Sequence, residues 1–169
     1  MRMIRAVLDT SVLVPARLRE DLQSLALDGA FMAIWSPWII GELHRTLTWH
    51  WLARKAIRVT STDGDPVTAC DVSAANWLRC GRMAKQMMEI LLATPNWVLV
   101  DPRPPYPTAW ETLADAWDYP IWAAAIAGQA AYVVSDNVRD YPPPGSDGRH
   151  MHDGVEYISG ADFIALLRD

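Results

Sequence analysis

Residues 5–14, Arg-Ala-Val-Leu-Asp-Thr-Ser-Val-Leu-Val, set one carboxylate, Asp9, between two apolar runs. This stretch reads as a buried strand carrying an acid at its C-terminal end, before any loop has intervened. An Asp there is costly unless it is paired, hydrogen-bonded or bound to a cation. Any fold this chain adopts must therefore bring something to Asp9. Ser11 and Ser135 each have two readings: they orient carboxylates or a water, or only satisfy strand-end backbone groups.

The remaining pattern alternates between strand and helix. Leu18, Leu22, Leu25 and Leu27 suggest a short helix stopped by Gly29, and 30–35 reads as a second strand. Ser36-Pro37 is a helix start, with Ser at the N-cap and Pro at the first helical position. That helix is expected over 37–57, with Ile39, Leu43, Leu47 and Leu52 as its buried stripe. The polar stretch 59–72 reads as a loop, and Ser73 caps a second long helix to about 92. A strand over 97–100, a proline-rich loop over 103–107 and a short helix over 110–116 follow. Asp118-Tyr-Pro opens an alanine-rich helix to 128, leading into a strand over 131–135. Residues 145–154 are turn-rich, 155–158 is a last strand, and Ser159 caps a closing helix over 160–167. Strands alternating with helices imply a mostly parallel sheet covered on both faces, an α/β fold with three α/β/α layers.

Composition narrows the class. At 169 residues the chain is expected to form a single domain, 1–169, large enough to bury a core without disulfide or metal. Its two cysteines, Cys70 and Cys80, lie ten apart with no partnered His or Cys, so no zinc framework is expected. A reduced, cytoplasmic setting is the simpler reading. No apolar stretch is long enough to span a membrane, and the run near Val7 is too short for a signal peptide. The net charge of −5 argues against a broad electrostatic grip on nucleic acid, not against a local one.

Ligands of an open parallel sheet bind at the carboxyl ends of its strands. Asp9 ends the first strand, and Asp136 directly follows the strand over 131–135. Asp118 opens a helix that runs back antiparallel to the sheet, so its N-terminus falls at the same edge. Glu42, early in the helix after strand two, is brought there by the same argument. Four carboxylates at one edge repel by about 4 kcal/mol per pair at 4 Å and an effective dielectric near 20. Either some are protonated or a cation sits among them. Oxygen-only ligands suit Mg²⁺ or Mn²⁺, and two such ions activate a water and stabilise the leaving oxygen in phosphodiester hydrolysis.

Five stretches, taken in order, resemble the PIN domain ribonucleases. They are Val7-Leu-Asp-Thr-Ser-Val-Leu13, Ser36-Pro-Trp-Ile-Ile-Gly-Glu-Leu43, Asp115-Ala-Trp-Asp118 with its alanine-rich continuation to Gly128, Val133-Val-Ser-Asp-Asn-Val-Arg-Asp-Tyr-Pro142, and Gly154-Val-Glu-Tyr-Ile-Ser-Gly-Ala-Asp-Phe-Ile164. The likeness spans the chain except 60–94. It implies a Mg²⁺- or Mn²⁺-dependent endoribonuclease in which Asp9, Glu42 and Asp118 bind the metal, with Asp115 as an outer acid. Asn137 stands where the family's usual fourth acid falls, and Asp136 is one residue early. The fourth corner is therefore Asp136, Asn137 or the more distant Asp140. Small bacterial members of this kind resemble VapC-like toxins of toxin–antitoxin pairs, which implies an RNA substrate, a protein antitoxin and a homodimer.

Each feature also has a plainer reading. Asp118 alone is a helix cap, Glu42 a solvated helix acid, and Asp136 a turn residue. His150 and His152 belong to a solvated loop before they belong to a metal. Arg45, Arg54, Lys55 and Arg58 either hold RNA phosphates or decorate the C-terminal end of their helix. Trp35, Trp38, Trp49 and Trp51 stack bases or, as the first choice, pack a core or an interface. The competing functional class is a non-catalytic RNA- or protein-binding module with an incomplete metal site. An aspartyl-nucleophile phosphotransferase ranks lower, because it wants a second Asp where Ser11 stands.

Overall fold

The computed structural model describes residues 3–54, 57–60, 66–69, 73–102 and 118–168. β1 (Ile4–Leu8) is followed by a single helical turn, α1 (Thr10–Leu13), and then by α2 (Ala16–Leu27), β2 (Phe31–Trp35) and α3 (Pro37–Ala53). β3 (Ile57–Thr60) and β4 (Pro66–Ala69) precede α4 (Ala74–Ala93) and β5 (Trp97–Leu99). After them come α5 (Tyr119–Gly128), β6 (Tyr132–Val134), a 3₁₀ turn at Val138–Asp140, β7 (His150–His152), β8 (Val155–Ile158) and α6 (Gly160–Arg168). The expected helix over 110–116 and the loop over 103–107 lie outside the described residues, as do Asp115, Cys70 and Lys55.

Six strands form one sheet in the order β5-β2-β1-β6-β8-β7. Every neighbouring pair is parallel except β7–β8. The fold is therefore the expected mostly parallel α/β sheet. Residues alternate across it, as the pleat requires. Phe31 meets Phe163 of α6 edge-to-face at 5.3 Å, while Ile34 points the other way, onto Gly128 of α5. Ala6, Val7, Val133 and Val134 are almost fully buried, as a parallel strand covered by helices on both faces must be.

Local sequence explains most boundaries. Ser36 Oγ accepts from the Ile39 backbone N–H, with Pro37 at the first helical position, so α3 starts where its capping residues dictate. Ser73 Oγ accepts from Asn76 N in the same way. Ser159 Oγ accepts from Asp162 N at 3.1 Å and donates to the Asp162 carboxylate at 2.6 Å, which closes the start of α6. Gly29, at φ +75°, ends the α2 turn in a conformation that disfavours any side chain.

Four expectations are corrected. The first strand does not run through the apolar residues after Asp9: Val12 and Leu13 belong to α1, buried by helical turn rather than by strand pleat. α3 stops at Ala53 rather than near 57, because 57–60 leaves the helix as a strand. The polar stretch over 59–72 is not all loop. Ile57–Thr60 pairs antiparallel with Pro66–Ala69 as a separate two-stranded sheet. Its short β-branched runs, Ile-Arg-Val-Thr and Pro-Val-Thr-Ala, are too brief to outweigh the turn residues between them in sequence alone. His150 and His152, expected in a loop, lie on β7, the antiparallel edge strand.

Candidate functional site

The sheet reverses its winding between β1 and β6. The chain leaves β1 to build β2 on one side, and β6 returns on the other. The C-terminal ends of these two strands are where a crevice forms in an open parallel sheet. Asp9 follows β1 there, and its backbone N–H continues the ladder to Val134 O at 2.9 Å. Ser135 follows β6, with its N–H on Ile158 O at 3.0 Å.

Asp9 is buried, and the chain satisfies its carboxylate locally and across the sheet. Oδ1 accepts from Thr10 N at 2.7 Å. Oδ2 accepts from Ser11 Oγ at 2.6 Å and from Ser135 Oγ at 2.8 Å. Each of these hydroxyls also accepts a backbone N–H from the loop after β6: Asp136 N reaches Ser11 Oγ at 2.9 Å, and Asn137 N reaches Ser135 Oγ at 3.1 Å. Each hydroxyl thus has one proton to give Asp9 and lone pairs for the loop. The two serines fasten the β1 end to the β6 end and set the direction of the Asp9 carboxylate. The two readings left open for them hold together: each hydroxyl directs the Asp9 carboxylate and satisfies a backbone N–H after β6.

Two further groups hold this arrangement from behind, and the sequence reading missed both. Arg19 is buried, and its guanidinium donates to Leu13 O at 2.9 Å and Val14 O at 3.1 Å, which pins the α1 turn carrying Thr10 and Ser11. Burial pulls its pKa down from the usual arginine value, with Glu20 opposing. The Tyr141 hydroxyl donates to the Ser135 carbonyl. Its pKa is pushed up by burial first, and then by the charges of Asp136, Asp162 and Asp9. A buried Arg cannot be told from a surface one on a leucine-patterned helix, whereas Tyr141 sits in the quoted stretch ending at Pro142.

A cleft of about 630 Å³ opens above Asp9, lined also by Glu42, Thr46, Asp118, Asp136, Asn137 and Asp140. All the acids placed at this edge by topology therefore reach one cavity. Glu42 gets there from the second turn of α3, and Thr46, one turn further on, shares its face by helical periodicity. Burial chiefly, and the Asp9 charge next, raise the Glu42 carboxyl above its ordinary value, while Arg45 opposes. Asp118 heads α5 but makes no side-chain capping bond, so the plain capping reading does not explain it. Asp136 has turned partly away: its Oδ1 accepts from Gly160 N, at the start of α6, at 2.9 Å. Asn137 donates its amide to the Asp140 carboxylate. Asp140, the most distant candidate in sequence, lines both this cleft and the smaller cavity adjoining it.

Other singled-out residues fall elsewhere. His150 packs on Tyr141 with Nδ1 2.6 Å from Pro142 O, and His152 packs on Trp122. Trp35 is core, while Trp49 stacks edge-on with Trp77 at 5.1 Å on the surface of α3 and α4. Trp38 is 44% exposed beside the cleft, on a neighbouring hollow shared with Glu42 and Arg45.

A PIN domain family model matches residues 5–139, from β1 to the 3₁₀ turn. The chain belongs to the PIN domain family. Neither the comparison with curated proteins nor that with solved structures gave a match. PIN domains are typically nucleases that use divalent metals. The donor set here suits such an ion: Asp9, Glu42, Asp118 and Asp140 offer only hard oxygen ligands. Among the described residues, however, no three His, Cys, Asp or Glu side chains stand grouped closely enough to form a ready cage. An ion held here would keep water in part of its shell, as Mg²⁺ does when only one or two carboxylates bind it directly. Glu42 supplies a second sign of fit. Burial first, and the Asp9 charge second, disfavour its ionised form, and a cation between the two carboxylates would offset that cost.

Proposed function

We propose that this protein, as one domain over 1–169, is a Mg²⁺- or Mn²⁺-dependent endoribonuclease. The observation that supports it is the convergence of Asp9, Glu42, Asp118 and Asp140 from four separate segments on one cleft at the sheet's reversal point. Asp9, Glu42 and Asp118 hold the ion. Asp140 rather than Asp136 completes the set, since it lines both the cleft and the smaller cavity shared with Asp9 and Asp118, whereas Asp136 lines the cleft alone and bonds the start of α6. Asn137 orients Asp140 through its amide. When bound, the divalent ion lowers the pKa of a water and offsets phosphate charge. Ser11 and Ser135 keep Asp9 aimed while this happens, and Arg45, which shares a hollow with Glu42, offers a cation for a substrate phosphate.

The substrate is RNA, and the setting cytoplasmic. Among the described residues no helix is long and apolar enough to cross a membrane. The resemblance to VapC-like toxins makes a protein antitoxin the partner and a homodimer the assembly. The decisive experiment is RNA cleavage with Mn²⁺ by the wild type and by Asp9→Asn. Loss of cleavage in the variant is expected, and equal activity in both sinks the proposal. A second reading, a non-catalytic RNA- or protein-binding module, is favoured by the absence of a preformed cage among the described residues. Calorimetry separates the two: no Mn²⁺ uptake at millimolar concentration selects the second.

A further inference from the structure

Tyr157 lies on β8, beyond the residues the family model covers. It is 5% exposed, and its hydroxyl is buried with no hydrogen-bond partner among the described residues. A buried donor left unsatisfied costs on the order of 1–3 kcal/mol, so such a group calls for an explanation. Strand alternation does not supply one, since Val155 and Tyr157 share the inward face and a Phe would fill it as well.

The hydroxyl's surroundings supply the explanation. Tyr157 lines a cavity of about 10 Å³ together with Asp9, Asp118, Ser135 and Asp140. That is about the room one water needs, and the walls offer it several polar partners. Burial and then the charge of Asp118 raise the pKa of the phenol, so it stays protonated and has a proton to donate. Asp9 already has Thr10, Ser11 and Ser135 to direct it. Of the carboxylates on this cavity wall, Asp118 is the one whose charge bears on the Tyr157 phenol.

We propose that Tyr157 is a positioning residue of this site: its hydroxyl donates to one water bound in the small cavity, and that water donates to the Asp118 carboxylate. Tyr157 thereby does for Asp118 what Ser11 and Ser135 do for Asp9. A direct contact is replaced by a bridged one because the phenol comes from two strands away from β1. The inference rests on the nuclease reading for its functional consequence, but not for the water itself.

The test is Tyr157→Phe, which removes only the hydroxyl. Without divalent ion the variant is expected to melt at or slightly below the wild-type temperature, since the hydrogen bond to the bound water has gone. A variant that melts clearly above the wild type overturns the proposal by showing the donor unsatisfied. Its Mn²⁺ affinity by calorimetry is expected to fall about tenfold, as for the loss of other groups that orient metal ligands. Turnover on RNA is expected to fall with KM unchanged. Wild-type Mn²⁺ affinity in the variant overturns the proposal. A high-resolution crystal structure of the wild type provides an arm independent of activity. An ordered water within hydrogen-bond distance of Tyr157 Oη and the Asp118 carboxylate supports the proposal, and a dry cavity overturns it. A wild type that neither binds Mn²⁺ nor cleaves RNA defeats the nuclease reading, and the crystallographic arm then decides the Tyr157 inference alone.

Discussion

A buried carboxylate is tolerable at position 9 because three donors meet it within 2.8 Å: Thr10 N, Ser11 Oγ and Ser135 Oγ. Removing one of them should cost little stability and more function. Ser135→Ala is expected to lose about 1 kcal/mol in urea denaturation, the net worth of one hydrogen bond. Its RNA cleavage should drop by about ten- to a hundredfold, the usual effect of freeing a metal ligand. A parallel fall in both would reduce Ser135 to a structural group. Glu42 makes a different prediction, in pH. Its carboxyl pKa is raised, so the folded chain holds this proton more tightly than the unfolded chain. That contribution is fully present below the unfolded value of 4.5 and is lost as pH rises through the raised one. Glu42→Gln without divalent ion should therefore melt above the wild type at about pH 7, with the gap closing toward about pH 4. A gap of the same size at both pH values would assign the gain to packing instead.

At the scale of elements, α5 buries Ile121, Ala124 and Ala125 in the core and meets β2 at its last residue. A Cβ on Gly128 would stand 2.7 Å from Ile34 Cγ2, and Ile34 is 1% exposed, with little room to yield. Gly128 also presents its carbonyl to Arg5 Nη1 at 3.0 Å. Gly128→Ala is expected to destabilise by about 1–3 kcal/mol in urea denaturation, by forcing α5 off β2. Since Asp118 heads the same helix, the variant should lose cleavage as well. The elements also show where sequence patterns fail. Capping residues announced α3, α4 and α6 correctly because a cap bonds to backbone three residues away. β7, the β3–β4 hairpin and the α1 turn went unread. Each is short, and pairing with a neighbouring strand or burial under α2 stabilises it more than its own composition does.

At the scale of the whole molecule, the site is an edge shared by strands that are far apart in the chain, and a bound ion should act as a clamp on them. Saturation with Mn²⁺ at about a hundred times Kd should raise the melting temperature by about 5–10 °C. Asp9→Asn should show almost none of that shift in the same thermal scan. A shift preserved in the variant would move the ion away from Asp9. The sequence alone carried the strand–helix alternation, the parallel sheet and the edge at which Asp9, Glu42, Asp118 and Asp136 gather. Periodicity, caps and the rule for strand ends are local or topological, and each is written in neighbouring residues. Only the tertiary structure decided what those carboxylates touch. It turned Asp136 onto Gly160, brought Asp140 into the cleft and set Tyr157 and Asp118 on the wall of one small cavity. A hydrogen bond depends on placements of about an ångström between segments tens of residues apart, as for Asp136 and Gly160, or more than a hundred, as for Asp9 and Ser135. No spacing in the sequence encodes that directly.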